Sequence, residues 1–165
     1  MTLLIRARDS AMKRISIATT ILLFLGFAAF TVPEDTAAQR SQTITLAGYK
    51  HKPPVRTSGS GLATVTLKGD TLKVEGEFED LTGNYSGAYI MTSLRRGEGG
   101  NQLHSLKANL NEEKTGGTLK ADENTFALSK AQKELLKKGQ LYINICSFEN
   151  RNGELRGDIS GTLLK

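Results

Sequence analysis

The sequence predicts an all-β protein: an antiparallel β-sandwich or a barrel-like sheet, with one short helix before the C-terminal hairpin. Three observations support this fold class. Short segments that alternate between apolar and polar residues follow one another closely beyond the N-terminal quarter of the chain. Segment 71–79 alternates cleanly over its whole length. Near the C-terminus, Asn152-Gly153 supplies residues that readily take a positive φ, between β-rich runs at 140–148 and 154–164.

The N-terminal region predicts a secretory signal peptide over residues 1–38. A basic pair precedes an apolar run at 15–30, and small residues at 36–38 form a cleavage site. The run is shorter than the roughly 20 residues that span a bilayer. Met12 lies directly before the basic pair and is a possible true start. We therefore expect an exported protein, periplasmic or secreted, with no membrane insertion after cleavage.

The rest of the chain fits one domain, since domains of about 100–150 residues bury a single hydrophobic core. Residues 39–60 are expected to form its extended N-terminal strand and a connection that contains Pro53-Pro54. Residues 61–165 form the remainder of the same domain. Cys146 is the only cysteine, so no intramolecular disulfide can form.

The charge distribution does not favour nucleic-acid binding. The chain is mildly basic, with a net charge of +5, but its lysines are scattered. It has no Trp, four Tyr and six Phe. Proteins that bind single strands place several aromatic side chains beside a positive groove. No nucleic-acid partner is therefore expected.

The strands are predicted from alternation and from the turn residues between them. We expect strands at 43–49, 61–68, 71–79 and 87–94. In 71–79 the apolar residues face one way, and Lys73 and the glutamates face the other way, toward water. Segment 102–110 fits helix and strand spacing about equally, so both alternatives stay open. Short β-like pieces follow at 118–120 and 125–128.

One helix is predicted between residues 129 and 139. Ser129, followed by Gln132 at the third helical position, fits a capping box. Leu135 and Leu136 contribute an apolar stripe, and Gly139 supplies the left-handed stop. We expect a connecting helix that covers one edge or end of the sheet.

The closing hairpin also carries a family resemblance. The pattern Tyr142-x-Asn144, followed by Gly153-Glu154-x-Arg156-Gly157, resembles the closing segment of CHRD domains, a module found in chordin and in many bacterial exported proteins. The resemblance covers roughly residues 44–161 and includes the Pro-Pro-Val at 53–55. It implies a single β-rich domain that acts as a non-enzymatic exported interaction or structural module.

The chain departs from the family at its metal-type positions. Many CHRD domains carry a His-x-His motif and a third histidine in the strand that matches 141–147, an arrangement that suits zinc or copper. Here Tyr89-Ile90-Met91 and Cys146 occupy those positions. The resemblance therefore implies that the metal-type histidines have been replaced, and we expect no cofactor and no metal.

A soft-metal site is the alternative prediction. Met91 and Cys146 are soft ligands that suit Cu(I), and the candidate cluster is Tyr89, Met91, Cys146 and His104. The competing interpretation is that Tyr89, Met91 and Cys146 fill the place of lost ligands as packed side chains.

No catalytic motif points to an enzyme. The chain lacks a Gly-x-Ser-x-Gly elbow, and no histidine has a spacing that places it beside Cys146 as a base. The adjacent carboxylates lie in polar, turn-like segments. We expect a binding module whose partner is an unknown protein or a component of the cell envelope. The sequence leaves the oligomeric state open.

Overall fold

A computed structural model describes residues 38–95 and 97–164. The predicted signal peptide, including the possible start at Met12, lies outside the described residues apart from Ala38. It therefore stays a prediction.

The described chain contains ten strands, one α-helix and two short 3₁₀ turns. They are β1 (Gln39–Ala47), a 3₁₀ turn (Gly48–Lys50), β2 (Ser60–Lys68), β3 (Thr71–Glu79), β4 (Tyr85–Thr92), β5 (Gln102–Leu106), β6 (Asn109–Leu110), β7 (Gly117–Leu119), β8 (Thr125–Ala127), α1 (Lys130–Lys137), β9 (Leu141–Ser147), β10 (Leu155–Ile159) and a second 3₁₀ turn (Gly161–Leu164).

All ten strands belong to one antiparallel sheet. Its order is β5-β4-β9-β10-β1-β2-β3-β7-β6, and β8 also pairs with β3. Residues 107–108 alone separate β5 from β6, so they join the two ends of this path and the sheet must curl. The all-β prediction is confirmed, and of its two alternatives the curled, barrel-like sheet is the one that forms.

The inner face of the curled sheet carries the hydrophobic core. In β2 and β3, Val65 pairs with Val74 and Leu67 with Leu72, and all four side chains are buried. Lys73 and the three glutamates of β3, which alternate with them, are exposed. The predicted orientation of segment 71–79 is therefore confirmed, because strand residues two apart share a face.

The helix forms as its sequence predicts. Ser129 and Gln132 make both bonds of the capping box, and Gly139 ends the helix with φ +67°. Leu136 is fully buried in the core, with Leu135 packed against it, so α1 covers one end of the sheet.

The fully buried Asn124 links the two ends of the sheet, at a junction between residues 107–108 and the chain after β7 that we call the seam. Its Oδ1 accepts from the Lys107 N–H (2.8 Å), and its Nδ2 donates to the carbonyls of Lys107 and Lys120 (3.0 Å each). Its own carbonyl accepts from the Val74 N–H at 3.0 Å. One side chain thus fastens the β5–β6 link to the chain beside β3.

The structure settles or corrects three local expectations. Segment 102–110 forms the two strands β5 and β6, because both pair with neighbouring strands. The strand expected at 154–164 ends at Ile159, where a 3₁₀ turn follows. In the hairpin, Gly153 has φ +132°, but Asn152 does not take a positive φ. β9 ends at Ser147 and β10 begins at Leu155, so the connection is longer than a two-residue turn, and the Gly153 N–H bonds the Asn150 carbonyl within it at 3.0 Å.

Replacing Asn124 tests the seam. Asn124→Ala should lower the free energy of unfolding by about 2–4 kcal/mol, because it removes three hydrogen bonds that a fully buried side chain makes to the backbone of Lys107 and Lys120. Chemical denaturation measures the change. Asn109→Ala is the matched control: its exposed amide bonds only Glu123, and its loss should cost within about 0.5 kcal/mol. Equal losses in the two variants would contradict this role.

Candidate functional site

Three of the four candidate metal residues lie on the outer face of β4 and β9. Strand register places Gly87 opposite Cys146, Tyr89 opposite Asn144, and Met91 opposite Tyr142. The core residues Ile90, Ile143 and Ile145 alternate with them and point to the inner face. We call the outer side of β4, β9 and β10 the polar face.

Tyr89 separates Met91 from Cys146 on the polar face. Cys146 lies opposite Gly87, four residues before Met91 on β4, which is about 13 Å along the strand at 3.3 Å per residue. A Cβ built on Gly87 would lie 2.3 Å from the Tyr89 hydroxyl, so the phenol ring covers Gly87 directly opposite Cys146. The space beside the Cys146 thiol is therefore filled by Tyr89.

His104 lies on the other side of the sheet. It pairs with Ile90 and so shares the inner face, where its ring stacks on Phe126 at 4.6 Å. Its Nε2 lies 3.5 Å from Nε2 of Gln132 on α1, and burial lowers its pKa. The structure thus does not bring His104 together with Tyr89, Met91 and Cys146.

The polar face is covered, although it lies outside the core. Tyr142, Asn144 and Cys146 are no more than 3% exposed. The segment after β1 and the loop after β4 meet above this face, where the Lys52 N–H bonds the Gly97 carbonyl at 2.9 Å. Because these two segments lie over it, β9 is buried from end to end on both of its faces.

Arg156 is buried at the centre of the polar face. Its guanidinium lies 3.6 Å from the centroid of the Tyr142 ring. Its Nε donates to Asp158 at 2.9 Å, and its Nη1 donates to the Glu98 carbonyl at 2.6 Å. Tyr142 in turn bonds the backbone of Gly100. Stacking, an ion pair and a carbonyl thus replace the water that this cation loses, and they hold the loop after β4 in place.

Glu154 is a second buried charge, at the base of the hairpin. Its carboxylate accepts four hydrogen bonds, from Oγ1 of Thr57, the backbone N–H of Thr82, Oγ of Ser147 and Nδ2 of Asn150. Burial by itself would raise its pKa, but these hydrogen bonds outweigh burial and lower the pKa. Glu154 is therefore ionised at neutral pH, and it ties two separate segments, at Thr57 and at Thr82, to the hairpin.

Asn144 and His51 converge at Gly153. The Nδ2 of Asn144 donates to the Asn152 carbonyl at 3.2 Å and to the Cys146 sulfur at 3.4 Å. Its Oδ1, and Nε2 of His51, are buried without a hydrogen-bond partner. A Cβ on Gly153 would lie 2.2 Å from Oδ1 of Asn144 and 2.6 Å from Cε1 of His51. The approach of these two groups requires glycine at 153.

His51 is a site residue that the sequence analysis missed. Burial, and next the nearby Arg156 cation, lower its pKa, so its ring is neutral at pH 7. The only signal was its place beside the Pro-Pro-Val segment of the family resemblance. Nothing in the local pattern showed that this connection folds over the polar face.

The buried Cys146 thiol is unreactive at neutral pH. Burial raises its pKa to about 11, so it stays protonated at neutral pH. A thiolate, rather than a thiol, is the form that attacks electrophiles and binds metals. Among the described residues, no three His, Cys, Asp or Glu side chains lie close enough together to hold a metal ion.

A comparison with protein-family models identifies the domain. The model described as CHRD domain matches residues 42–159, which run from β1 to the end of β10. The chain belongs to the CHRD domain family. No curated protein and no solved structure matches it. Across residues 38–95 and 97–164 of this CHRD protein, no helix has the length and apolar character needed to cross a membrane.

The signature residues of this CHRD domain serve its packing. Glu154 and Arg156 hold the hairpin and the segments over the polar face, with Tyr142 and Asn144 beneath them. Gly157 fits where a Cβ would lie 2.6 Å from the Leu46 side chain in the core. The residues that carried the resemblance are therefore buried structural groups.

The Glu154 carboxylate should make stability depend on pH. Its folded pKa lies below its unfolded value near 4.5, so its contribution is present above that value and is lost as pH falls toward the folded pKa. Glu154→Gln should lower the free energy of unfolding at pH 7 by about 2–4 kcal/mol and flatten its acid dependence. Urea titrations between pH 3 and 7 measure both effects. The exposed Glu149→Gln on the same loop is the control, and an unchanged acid slope in Glu154→Gln would refute this assignment.

Gly153→Ala should destabilise the hairpin by about 2–4 kcal/mol, because a methyl group there meets Asn144 and His51 and the φ of +132° strains any other residue. Thermal unfolding followed by circular dichroism measures the change. Gly99→Ala is a matched control, since nothing lies within 4 Å of a Cβ at that position. A Gly153→Ala variant as stable as Gly99→Ala would contradict the close packing.

Proposed function

We propose that this CHRD protein is a non-enzymatic, exported module that acts by binding or structural support in the cell envelope or outside the cell. The observation that carries the proposal is that two charged side chains and the thiol of the polar face are all buried. Glu154 and Arg156 form their hydrogen bonds with other groups of the same domain, and the Cys146 thiol is buried and protonated. The polar chemistry of this face is therefore committed to holding the loops.

Export is supported by two observations. Residues 1–38 have the order of a signal peptide, with a basic pair, an apolar run and a small-residue site. β1 begins at Gln39, directly after the proposed cleavage point. Cleavage there releases a chain that starts at the first residue of a sheet strand and loses none of the domain.

The partner is then recognised by the exposed surface of the domain. Tyr49, Leu62 and Phe148 are between 48% and 70% exposed, although they are large and apolar. Aromatic side chains such as Tyr49 and Phe148 are enriched at protein interfaces. We therefore place the activity of the module on its outer surface and not beneath the loops.

Copper binding is the competing function, and titration separates the two. The purified protein should take up no stoichiometric Cu(I) in competition with a colorimetric chelator, because about 13 Å and the Tyr89 ring separate Met91 from Cys146. Cys146→Ser and Met91→Ala should behave as the parent does. Tight one-to-one binding that both substitutions abolish would overturn the proposal.

Export is tested separately. In a cell that exports the protein, N-terminal sequencing should show a mature chain that begins at Gln39, and an uncut chain in the cytoplasm would refute export.

A further inference from the structure

An exposed aromatic and an arginine stand together on the connection between β9 and β10. Phe148 is 58% exposed. The guanidinium carbon of Arg151 lies 5.7 Å from the centre of its ring, and Nε of Arg151 donates to the Phe148 carbonyl at 3.4 Å. We call this pair the hook. Aromatic and arginine side chains dominate binding energy at protein interfaces, and a pair that is already stacked loses little freedom when it binds.

A cleft that combines apolar and acidic side chains crosses β2, β3 and the β6–β7 hairpin, and this chemistry complements that of the hook. It has a volume of about 770 Å³ and includes Leu62 of β2, an apolar side chain that is 48% exposed and shares a face of the sheet with its register partner Glu77. The carboxylates of Glu77 and Glu79 also line it, and both residues are exposed. We call this cleft the groove. The exposed Leu62 suits an aromatic ring. Lys120 also lines the groove, but the two carboxylates of Glu77 and Glu79 outnumber this one cation and suit a guanidinium.

The hook and the groove lie at the same end of the barrel. The Phe148 N–H bonds the Asn84 carbonyl at 2.9 Å, and the next residue, Tyr85, bonds the Lys114 carbonyl at 2.7 Å. Lys114 belongs to the turn that leads into Gly116, which lines the groove. Since both features share one end, a twofold axis passing there can place each hook against the other copy's groove.

We propose that this protein pairs with a second copy of itself, with the hook of each copy seated in the groove of the other. Phe148 then packs against Leu62 of the opposite copy, and Arg151 meets Glu77 and Glu79. The contact is isologous, so it closes at two copies and forms no filament. The pairing rests on the proposed function as an interaction module, and it names the partner as an identical chain.

Sedimentation velocity over a concentration series up to about 0.2 mM tests the pairing. The parent protein should show a reversible dimer. Phe148→Ser should weaken dimerisation by about tenfold or more, as loss of a central aromatic anchor does. Leu94→Ser is the matched control, because Leu94 is 87% exposed and lies in neither the hook nor the groove. It should leave the dimer constant unchanged.

A charge exchange tests the orientation. Arg151→Glu and Glu79→Arg should each weaken the dimer by about tenfold, and the double variant should recover to within about threefold of the parent. All of these positions are exposed, so circular dichroism should report unchanged folding. A monomer throughout the series, or a dimer that neither Phe148→Ser nor the charge variants weaken, overturns the pairing. A monomer that is exported and binds no copper overturns only the pairing and leaves the proposed function in place.

Discussion

The buried carboxylate of Glu154 is the interaction on which the hairpin and the segments around it depend. A buried charge without partners is among the most costly features of a fold, and Glu154 is fully buried. Four donors from Thr57, Thr82, Ser147 and Asn150 stabilise it instead. Because those donors come from segments far apart in sequence, satisfying one charge fixes the connection after β1, the turn before β4 and the hairpin relative to one another.

Arg156, two residues further along the chain on β10, is a second buried charge with the opposite sign. Its stack on Tyr142 and its bond to Glu98 hold the loop after β4 over the polar face. The two charges together convert one side of β9 from a solvated surface into a second, polar interior. This is why a strand that carries Tyr142, Asn144 and Cys146 is buried on both faces, as is usual only for strands at the centre of layered folds.

Patterns among residues close in sequence predicted the strands and the helix, whereas pairing between distant strands determines how these elements are arranged. Alternation was sufficient for β2 and β3, and the capping box was sufficient for α1, because each depends on residues close in sequence. The same rules left segment 102–110 open. Its state depends on pairing with β4 and β7, and the face that His104 occupies follows from that pairing. The cover over the polar face, and with it His51, had no local signal, because it is held by Glu154 and Arg156 across the whole domain.

The position of β1 in the sheet has a consequence for the order of folding. β1 lies between β2 and β10, so its two neighbours come from opposite ends of the domain, and Ala47 meets Arg156. Because the chain is synthesised from its N-terminus, the β1–β2–β3 meander can form early. The other edge of β1 stays unpaired until β10 has been made. Pairing across such a separation is slow, and an open edge invites the wrong neighbour. Completion of this domain is therefore a late event, controlled by the strand that is made last.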